Sequence, residues 1–262
     1  MPATDLDLLI SAARAAGTLA TSFSGPSAQR WDKPGEAGPV TEADLAVDAL
    51  LRDRLTAARP DYGWLSEETP DSADRLSRRR TFIIDPIDGT RSFIEGAATW
   101  AHSLAVAEDG RITAAVVFLP LKDKLYTAGA GLGAKLNGQP IRATEQQALA
   151  GARVLATKPV YDPSHWRGRD VPQMERHHRP SLAYRLSLVA EGRFDAMLTL
   201  RPSWEWDIAA GALILSEAGA RTTDRTGAEL RFNNPHPQVN GVLAAGAALH
   251  QALSQRLAPW PG

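Results

Sequence analysis

Residues 81 to 90 read Thr-Phe-Ile-Ile-Asp-Pro-Ile-Asp-Gly-Thr, an apolar run that ends in two carboxylates three positions apart, with a proline between them and a Gly-Thr step behind. A run of this kind bounded by Pro and Gly is a short buried strand, which places Asp85 and Asp88 where the strand leaves its sheet. Pro86 fixes one φ angle and Gly89 permits close backbone approach, so both carboxylates and the Ile87 carbonyl can turn toward one point. Oxygen donors with no soft ligand among them suit Mg²⁺, Mn²⁺ or Ca²⁺.

Around that motif lies an ordinary globular chain. Its 262 residues, 44% hydrophobic and 23% charged, can bury a large core as one large or two medium domains. Twenty-nine basic against thirty acidic residues leave a formal charge of −1, so no general field draws in nucleic acid or an anionic membrane, and any anion must be held locally. The absence of cysteine excludes disulfides and thiolate metal sites. The chain opens acidic where a signal peptide is basic, and its apolar stretches fall short of the ~20 residues that span a bilayer. These features lead us to expect a cytoplasmic protein with neither membrane nor nucleic-acid partners.

Thr4 and Asp7 form a capping-box pattern ahead of a helical repeat that runs to Ser22, and a polar Pro/Gly loop follows from Ser24 to Pro39. A second amphipathic helix is expected from Thr41 to before Pro60, then a short strand from Tyr62 to Leu65 and the 81–85 strand. Residues 101–107, 112–119 and 124–128 have the pattern of an antiparallel meander, with Gly129, Gly131 and Gly133 at the next bend. Beyond residue 145 the pattern alternates: strands near 153–157 and 195–199, helices near 180–192 and 207–218, short strands near 220 and 240. We therefore expect an α/β fold in two parts, an N-terminal α+β part over 1–145 and an α/β part over 146–262. Arg78-Arg-Arg80 and the six histidines, which lack zinc spacing, are expected at the surface.

Four acidic features fall at element ends: Asp44, the Glu67-Glu68 pair, Asp85 with Asp88, and Asp207. Each alone has an ordinary explanation, Asp44 as a first-turn helix acid, Glu67 and Glu68 as a solvated turn, Asp85 and Asp88 as an Asx-turn, Asp207 as an N-cap. The helix after Asp207, however, is apolar nearly all round, so its mouth is partly buried. If Glu67, Asp85, Asp88 and Asp207 converge, each like-charge pair at ~5 Å repels by roughly 3 kcal/mol at an effective dielectric near 20. Two Mg²⁺ would balance four such charges, and the amides of Gly89 and Thr90 at a helix start would help hold a phosphate.

Asp85-Pro-Ile-Asp-Gly-Thr90, Trp206-Asp-Ile-Ala-Ala-Gly211, the Glu67-Glu68 pair and Pro39-Val-Thr-Glu-Ala-Asp44 together resemble the inositol monophosphatase superfamily of lithium-sensitive, Mg²⁺-dependent phosphatases. The resemblance runs from the first helix to about residue 245 and implies a layered αβαβα sandwich. It implies two or three Mg²⁺ per site. Glu67, Asp85 and the Ile87 carbonyl would hold the first, and Asp85, Asp88 and Asp207 the second. Thr90, backed by Asp44, would orient the attacking water and take its proton, with Glu68 assisting through solvent. Lys33 occupies a position that carries a lysine in some relatives; a solvent-exposed loop lysine is the alternative. The resemblance also allows for a homodimer.

The implied partner is a small phosphorylated metabolite, and the sequence speaks to its identity in two voices. Enzymes for inositol phosphates carry an acidic residue about seven positions before the last metal aspartate, where this chain has Leu200. Arg201-Pro-Ser-Trp-Glu-Trp-Asp and Ser181-Leu-Ala-Tyr-Arg resemble the adenosine 3′,5′-bisphosphate phosphatases, with Gly89, Thr90, Arg185 and Glu205 as candidate substrate contacts. Thr90-Arg-Ser-Phe-Ile-Glu-Gly resembles the histidinol-phosphate phosphatases instead. Adenosine 3′,5′-bisphosphate is the preferred expectation, inositol 1-phosphate and histidinol phosphate the alternatives, and a non-catalytic sensor of metal and phosphate the rival of another class.

Overall fold

The computed structural model describes residues 4–33 and 38–260. Helix α1 (Asp5–Ala20) opens with the expected box: Thr4 accepts from the Asp7 amide and Asp7 accepts in return from the Thr4 amide. The loop expected from Ser24 to Pro39 holds a small antiparallel hairpin, β1 (Arg30–Asp32) against β2 (Pro39–Thr41), and its residues 34–37 lie outside the described residues. Then follow α2 (Glu42–Ala58), β3 (Gly63–Ser66), β4 (Arg80–Asp88), the one-turn helix α3 (Thr90–Ile94), and the meander β5 (Ala101–Glu108), β6 (Arg111–Leu119) and β7 (Lys124–Gly129). Two short strands, β8 (Ala134–Leu136) and β9 (Gln139–Pro140), complete a seven-stranded sheet in the order β3 to β9. It is antiparallel except where β3 runs parallel to β4.

The remainder of the chain builds β10 (Arg153–Ala156), β11 (Glu175–His177), α4 (Leu182–Ala190), β12 (Ala196–Thr199), β13 (Ser203–Trp204), α5 (Glu205–Glu217), β14 (Ala220–Thr223), β15 (Gln238–Val239), β16 (Val242–Gly246) and α6 (Ala247–Arg256). Five of these strands form a second sheet, ordered β11-β10-β12-β16-β14. The helix α6 has no counterpart in the sequence reading. No side chain caps it among the described residues, and Leu249 and Leu253, one turn apart, are the two leucines of its buried face.

Strand periodicity sets the layers. Along β4, Phe82 and Ile84 face α1 and α2, where Leu9, Ala16, Val47 and Leu51 meet them. Ile83, between them, points the other way into a core shared with Leu186 of α4, Ile208 and Leu215 of α5, and Leu155 and Met197 of the second sheet. Residues of opposite parity on that second sheet, Val154, Ala196 and Leu198, pack on α6. The result is α1/α2, sheet, α4/α5, sheet, α6. Because β4 is covered on both faces its sequence is a continuous apolar run, and because α5 is covered on every side it shows no polar stripe.

Gly211 lets the two middle helices approach. A Cβ there would lie 2.6 Å from Leu186 Cβ. Gly211→Ala should therefore destabilise, by about 1–3 kcal/mol from overpacking, although alanine is the better helix former by about 1 kcal/mol. Thermal unfolding checks this; a melting temperature at or above wild type would show that the contact relaxes.

Candidate metal centre and active site

Strand β4 breaks register as it ends. Asp85 pairs with Ser103 of β5 and Asp88 with Ala101, and the ladder passes over Pro86 and Ile87 between them. Asp85 and Asp88 thus flank the bulge at the end of the strand, both buried. Gly89, at φ 101°, then caps α3 in the left-handed region where a side chain would be strained, and Thr90 is the helix's first residue.

One oxygen each from Glu67, Asp85 and Asp207 lie within 4.8 Å of one another. Glu67 follows β3, with its amide bonded to the Ile84 carbonyl at 3.2 Å. Asp207 sits in the first turn of α5. That helix begins at Glu205 with Trp204 as N-cap, so Asp207 is its third residue and not the cap. Ser103, the cross-strand partner of Asp85, donates from its hydroxyl to the Trp206 carbonyl at 2.8 Å and so brings the two aspartates together.

Lys33 is paired with Glu67 and Arg201 acts on Asp207, but Asp85 Oδ1 is buried with no hydrogen-bond partner among the described residues. Burial, then Glu67, Asp88 and Asp207, push the Asp85 carboxyl well above the usual range; burial, then Asp88 and Glu67, do the same to Asp207. Three hard oxygen donors around an orphaned carboxylate oxygen are the chemistry of a divalent-cation site, and the residues present fit Mg²⁺.

Asp88 belongs to the same electrostatic group, but its carboxylate is turned toward α4. Oδ2 accepts from Ser181 Oγ at 2.6 Å and from the Ala183 amide at 2.7 Å, and Oδ1 accepts a longer bond, 3.3 Å, from the Leu182 amide. Burial raises it to about 6 against those donors. Asp88 thus anchors the first turn of α4 to the end of β4.

Helix α2 organises the other side. Asp44 Oδ2 completes a capping box with the Thr41 amide (2.9 Å) and hydroxyl (2.5 Å), while Oδ1 accepts from Thr90 Oγ1 at 3.2 Å. Thr90 Oγ1 also lies 3.3 Å from the Ile87 carbonyl. Burial lifts Asp44 to about 6. One turn along, Asp48 accepts from Ser66 Oγ at 2.5 Å and Thr69 Oγ1 at 2.6 Å, the two hydroxyls that bracket Glu67 and Glu68. Lys33 is not an exposed loop lysine: its ammonium reaches Glu67 at 2.8 Å and Glu68 at 2.6 Å. Burial pulls it down, but the two carboxylates outweigh that and hold it up at about 12; Glu68 is raised to about 7 by burial and by Glu67.

Two candidate substrate contacts read differently in the structure. Glu205 is fully buried and accepts from the Asn233 and Asn234 amides at 2.6 and 2.9 Å and from Asn234 Nδ2 at 2.7 Å, so it locks that loop and offers no face to a substrate. Arg185 is buried beneath the 178–180 loop, where it donates to the Arg179 carbonyl and meets His178 Nε2 at 2.9 Å. Burial draws its guanidinium down to about 10. The histidines expected at the surface include His102 and His250, both buried, and Arg80, expected in a solvated turn, opens β4 and bonds Tyr62 and Glu108. Asp48 was readable as a buried acid one helical turn beyond Asp44; His102 carried no such signal.

Carboxyls raised in the folded chain bind protons that the unfolded chain has already lost. Their stabilising contribution is therefore complete below about pH 4 and is lost as pH rises through about 6 and 7, the values for Asp44, Asp88 and Glu68. In chelator, thermal stability should fall between pH 5 and 8, and added Mg²⁺ should restore more of it at pH 8 than at pH 5. Asp85→Asn should raise the melting temperature in chelator while removing the Mg²⁺ response. A Mg²⁺ effect independent of pH, or an Asp85→Asn variant that still responds, would contradict the assignment.

The sequence matches the model of the inositol monophosphatase family over residues 2–259. It is 35% identical to the inositol-1-monophosphatase of Rhizobium meliloti over 85% of this chain and 86% of that protein, and 34% identical to Nus factor SuhB of Escherichia coli over 85% of each. Among solved structures, an IMPase from Thermotoga maritima superposes with a TM-score of 0.81 at 28% identity over 95% of both chains. Extragenic suppressor protein suhB from Bartonella henselae gives 0.79 at 27%, over 95% of this chain and 96% of that one. With an acidic centre built for divalent cations and a match over nearly its whole length, the chain belongs to the inositol monophosphatase family, and so to the Mg²⁺-dependent phosphoric monoester hydrolases.

Proposed function

We propose that this chain hydrolyses a small phosphorylated metabolite by attack of an activated water, with adenosine 3′,5′-bisphosphate as the substrate. Glu67, Asp85, Asp207 and the Ile87 carbonyl would hold the ions, with Asp88 contributing from the α4 side. Bound there, Mg²⁺ supplies Lewis acidity toward the phosphate and a water that ionises near neutral pH. The chain's own part is proton handling. Thr90 Oγ1 accepts from the incoming water while donating to Asp44 across 3.2 Å, and Asp44, lifted to about 6, is close enough to the working pH to take the proton. Glu68, raised to about 7, would assist that transfer.

The observation that carries the substrate is the charge beside the centre. Leu200 is buried where a ring-gripping acid would stand, and the next residue, exposed Arg201, is near enough to draw the Asp207 carboxyl down against its burial. A guanidinium there suits a second phosphate. Trp204, 38% exposed and stacked on Trp206 at 4.7 Å, supplies a flat apolar face for a base. Inositol 1-phosphate is the second reading, favoured by the likeness to the inositol-1-monophosphatase of Rhizobium meliloti.

Phosphate release from adenosine 3′,5′-bisphosphate, inositol 1-phosphate and histidinol phosphate, each with Mg²⁺ and with chelator, separates these readings. We expect kcat/KM for the bisphosphate to lead by about tenfold or more, and Arg201→Ala to erase about that factor while leaving inositol 1-phosphate within about twofold, the scale of one charge-assisted contact. Faster inositol 1-phosphate turnover would select the second reading. Failure on all three and on a wider set of phosphomonoesters would leave a metal-dependent sensor.

A further inference from the structure

We propose that His102 is a positioning residue of the metal centre: its Nδ1–H holds the Pro86 carbonyl and so fixes the Pro86–Ile87 peptide, the one directly before the peptide that carries the Ile87 carbonyl between Asp85 and Asp88. This rests on the reading above, in which that carbonyl is a ligand.

The need for such a group follows from the bulge. Where the β4–β5 ladder passes over Pro86 and Ile87, the register shift takes the Pro86 carbonyl out of regular pairing with β5. In a fully buried setting an unmade carbonyl bond is costly, so a donor must come from a side chain. His102, fully buried on β5, places Nδ1 in hydrogen-bond contact with that carbonyl. A carbonyl only accepts, so Nδ1 carries the proton and Nε2 is bare. Accordingly Nε2 is buried without a partner, among Trp100 at 5.4 Å and Phe118 at 6.3 Å between ring centroids. Burial draws the imidazole down to about 4, so it remains a neutral one-proton donor across the working range.

The direction of the pull matters. His102 has the parity of Leu104 and Val106, which face α1 and α2, whereas Ser103 faces α5 and the carboxylate cluster. The Pro86 carbonyl is therefore drawn to the face away from the cluster. The next carbonyl along, that of Ile87, lies 3.3 Å from Thr90 Oγ1. Trp100 and Phe118 keep the ring from turning out of this contact.

The test reads metal binding directly, by calorimetry with Mg²⁺ and by the Mn²⁺ spin-resonance signal, alongside thermal unfolding. His102→Leu keeps apolar bulk and removes the donor; His102→Asn can set its amide nitrogen where Nδ1 stood. We expect His102→Leu to bind either ion about tenfold or more weakly, the usual scale for a group one bond behind a ligand, and His102→Asn to recover most of it. Long-range ¹H–¹⁵N correlation on the wild-type protein should show a neutral Nδ1–H ring at pH 7, a measurement that stands even if the leucine variant fails to fold. An Nε2–H or charged ring, or equal metal affinity in wild type and His102→Leu, would overturn the inference. Wild-type protein that binds neither ion would instead overturn the reading on which it rests.

Discussion

Like charges at close range have to be imposed by the fold, since nothing local favours them. One oxygen each from Glu67, Asp85 and Asp207 come within 4.8 Å, and they arrive from the end of a parallel strand, a bulged strand terminus and the first turn of a helix. The imposition works because two of the three carriers are buried on both sides. β4 lies between two cores, and α5 is packed between two sheets, so neither end can swing away without exposing apolar surface worth roughly 25 cal/mol per Å². The layered sandwich is thus the device that makes a repulsive cluster affordable, and a divalent ion is what converts its cost into affinity.

Around the cluster the same tactic recurs: a polar side chain on one element satisfies the backbone or a hydroxyl of another, and by doing so fixes a carboxylate. Asp44 and Asp48, one turn apart on α2, take up Thr90 on one side and the hydroxyls flanking Glu67 and Glu68 on the other. Ser103 joins the Asp85 register to the Asp207 turn. Glu205, adjacent in the helix to the metal centre, spends its charge on the 233–234 amides and is thereby excluded from chemistry.

What was legible in the sequence was what lies contiguous in it. Asp85-Pro-Ile-Asp-Gly-Thr announces a buried strand, a turn and two carboxylates within ten residues, and the capping patterns at Thr4 and Thr41 are complete in four. The meander and the middle helices were legible because apolar runs bounded by turn residues and all-round apolarity are local signals. Glu205 was misread because its partners stand 28 and 29 residues away in a loop without pattern. Lys33 was ambiguous for the same reason, its carboxylates being 34 and 35 residues distant. His102 was invisible: it answers a vacancy in a ladder, and the vacancy exists only once β5 is laid against the bulge.

The anchoring of α4 bears on how phosphate and recognition chemistry are joined. At its start, Asp88 grips the helix through Ser181 and the Ala183 amide; at its end, Glu191 accepts from Lys124 at 2.9 Å and from the Tyr126 hydroxyl at 2.8 Å, both on β7. The helix is therefore pinned to the large sheet at both termini, while Arg185 on its flank holds the 178–180 loop. A carboxylate that would share in holding the ions is the same one that sets where this flank begins. Displacement of α4 is then felt at the metal, and a change in substrate recognition made through α4 must either preserve the Asp88 contacts or alter ion binding with it. On the α5 approach Arg201 and Trp204 are exposed, so substitutions there leave the Asp88 contacts untouched, and under the proposed function specificity is freer to change at these two positions.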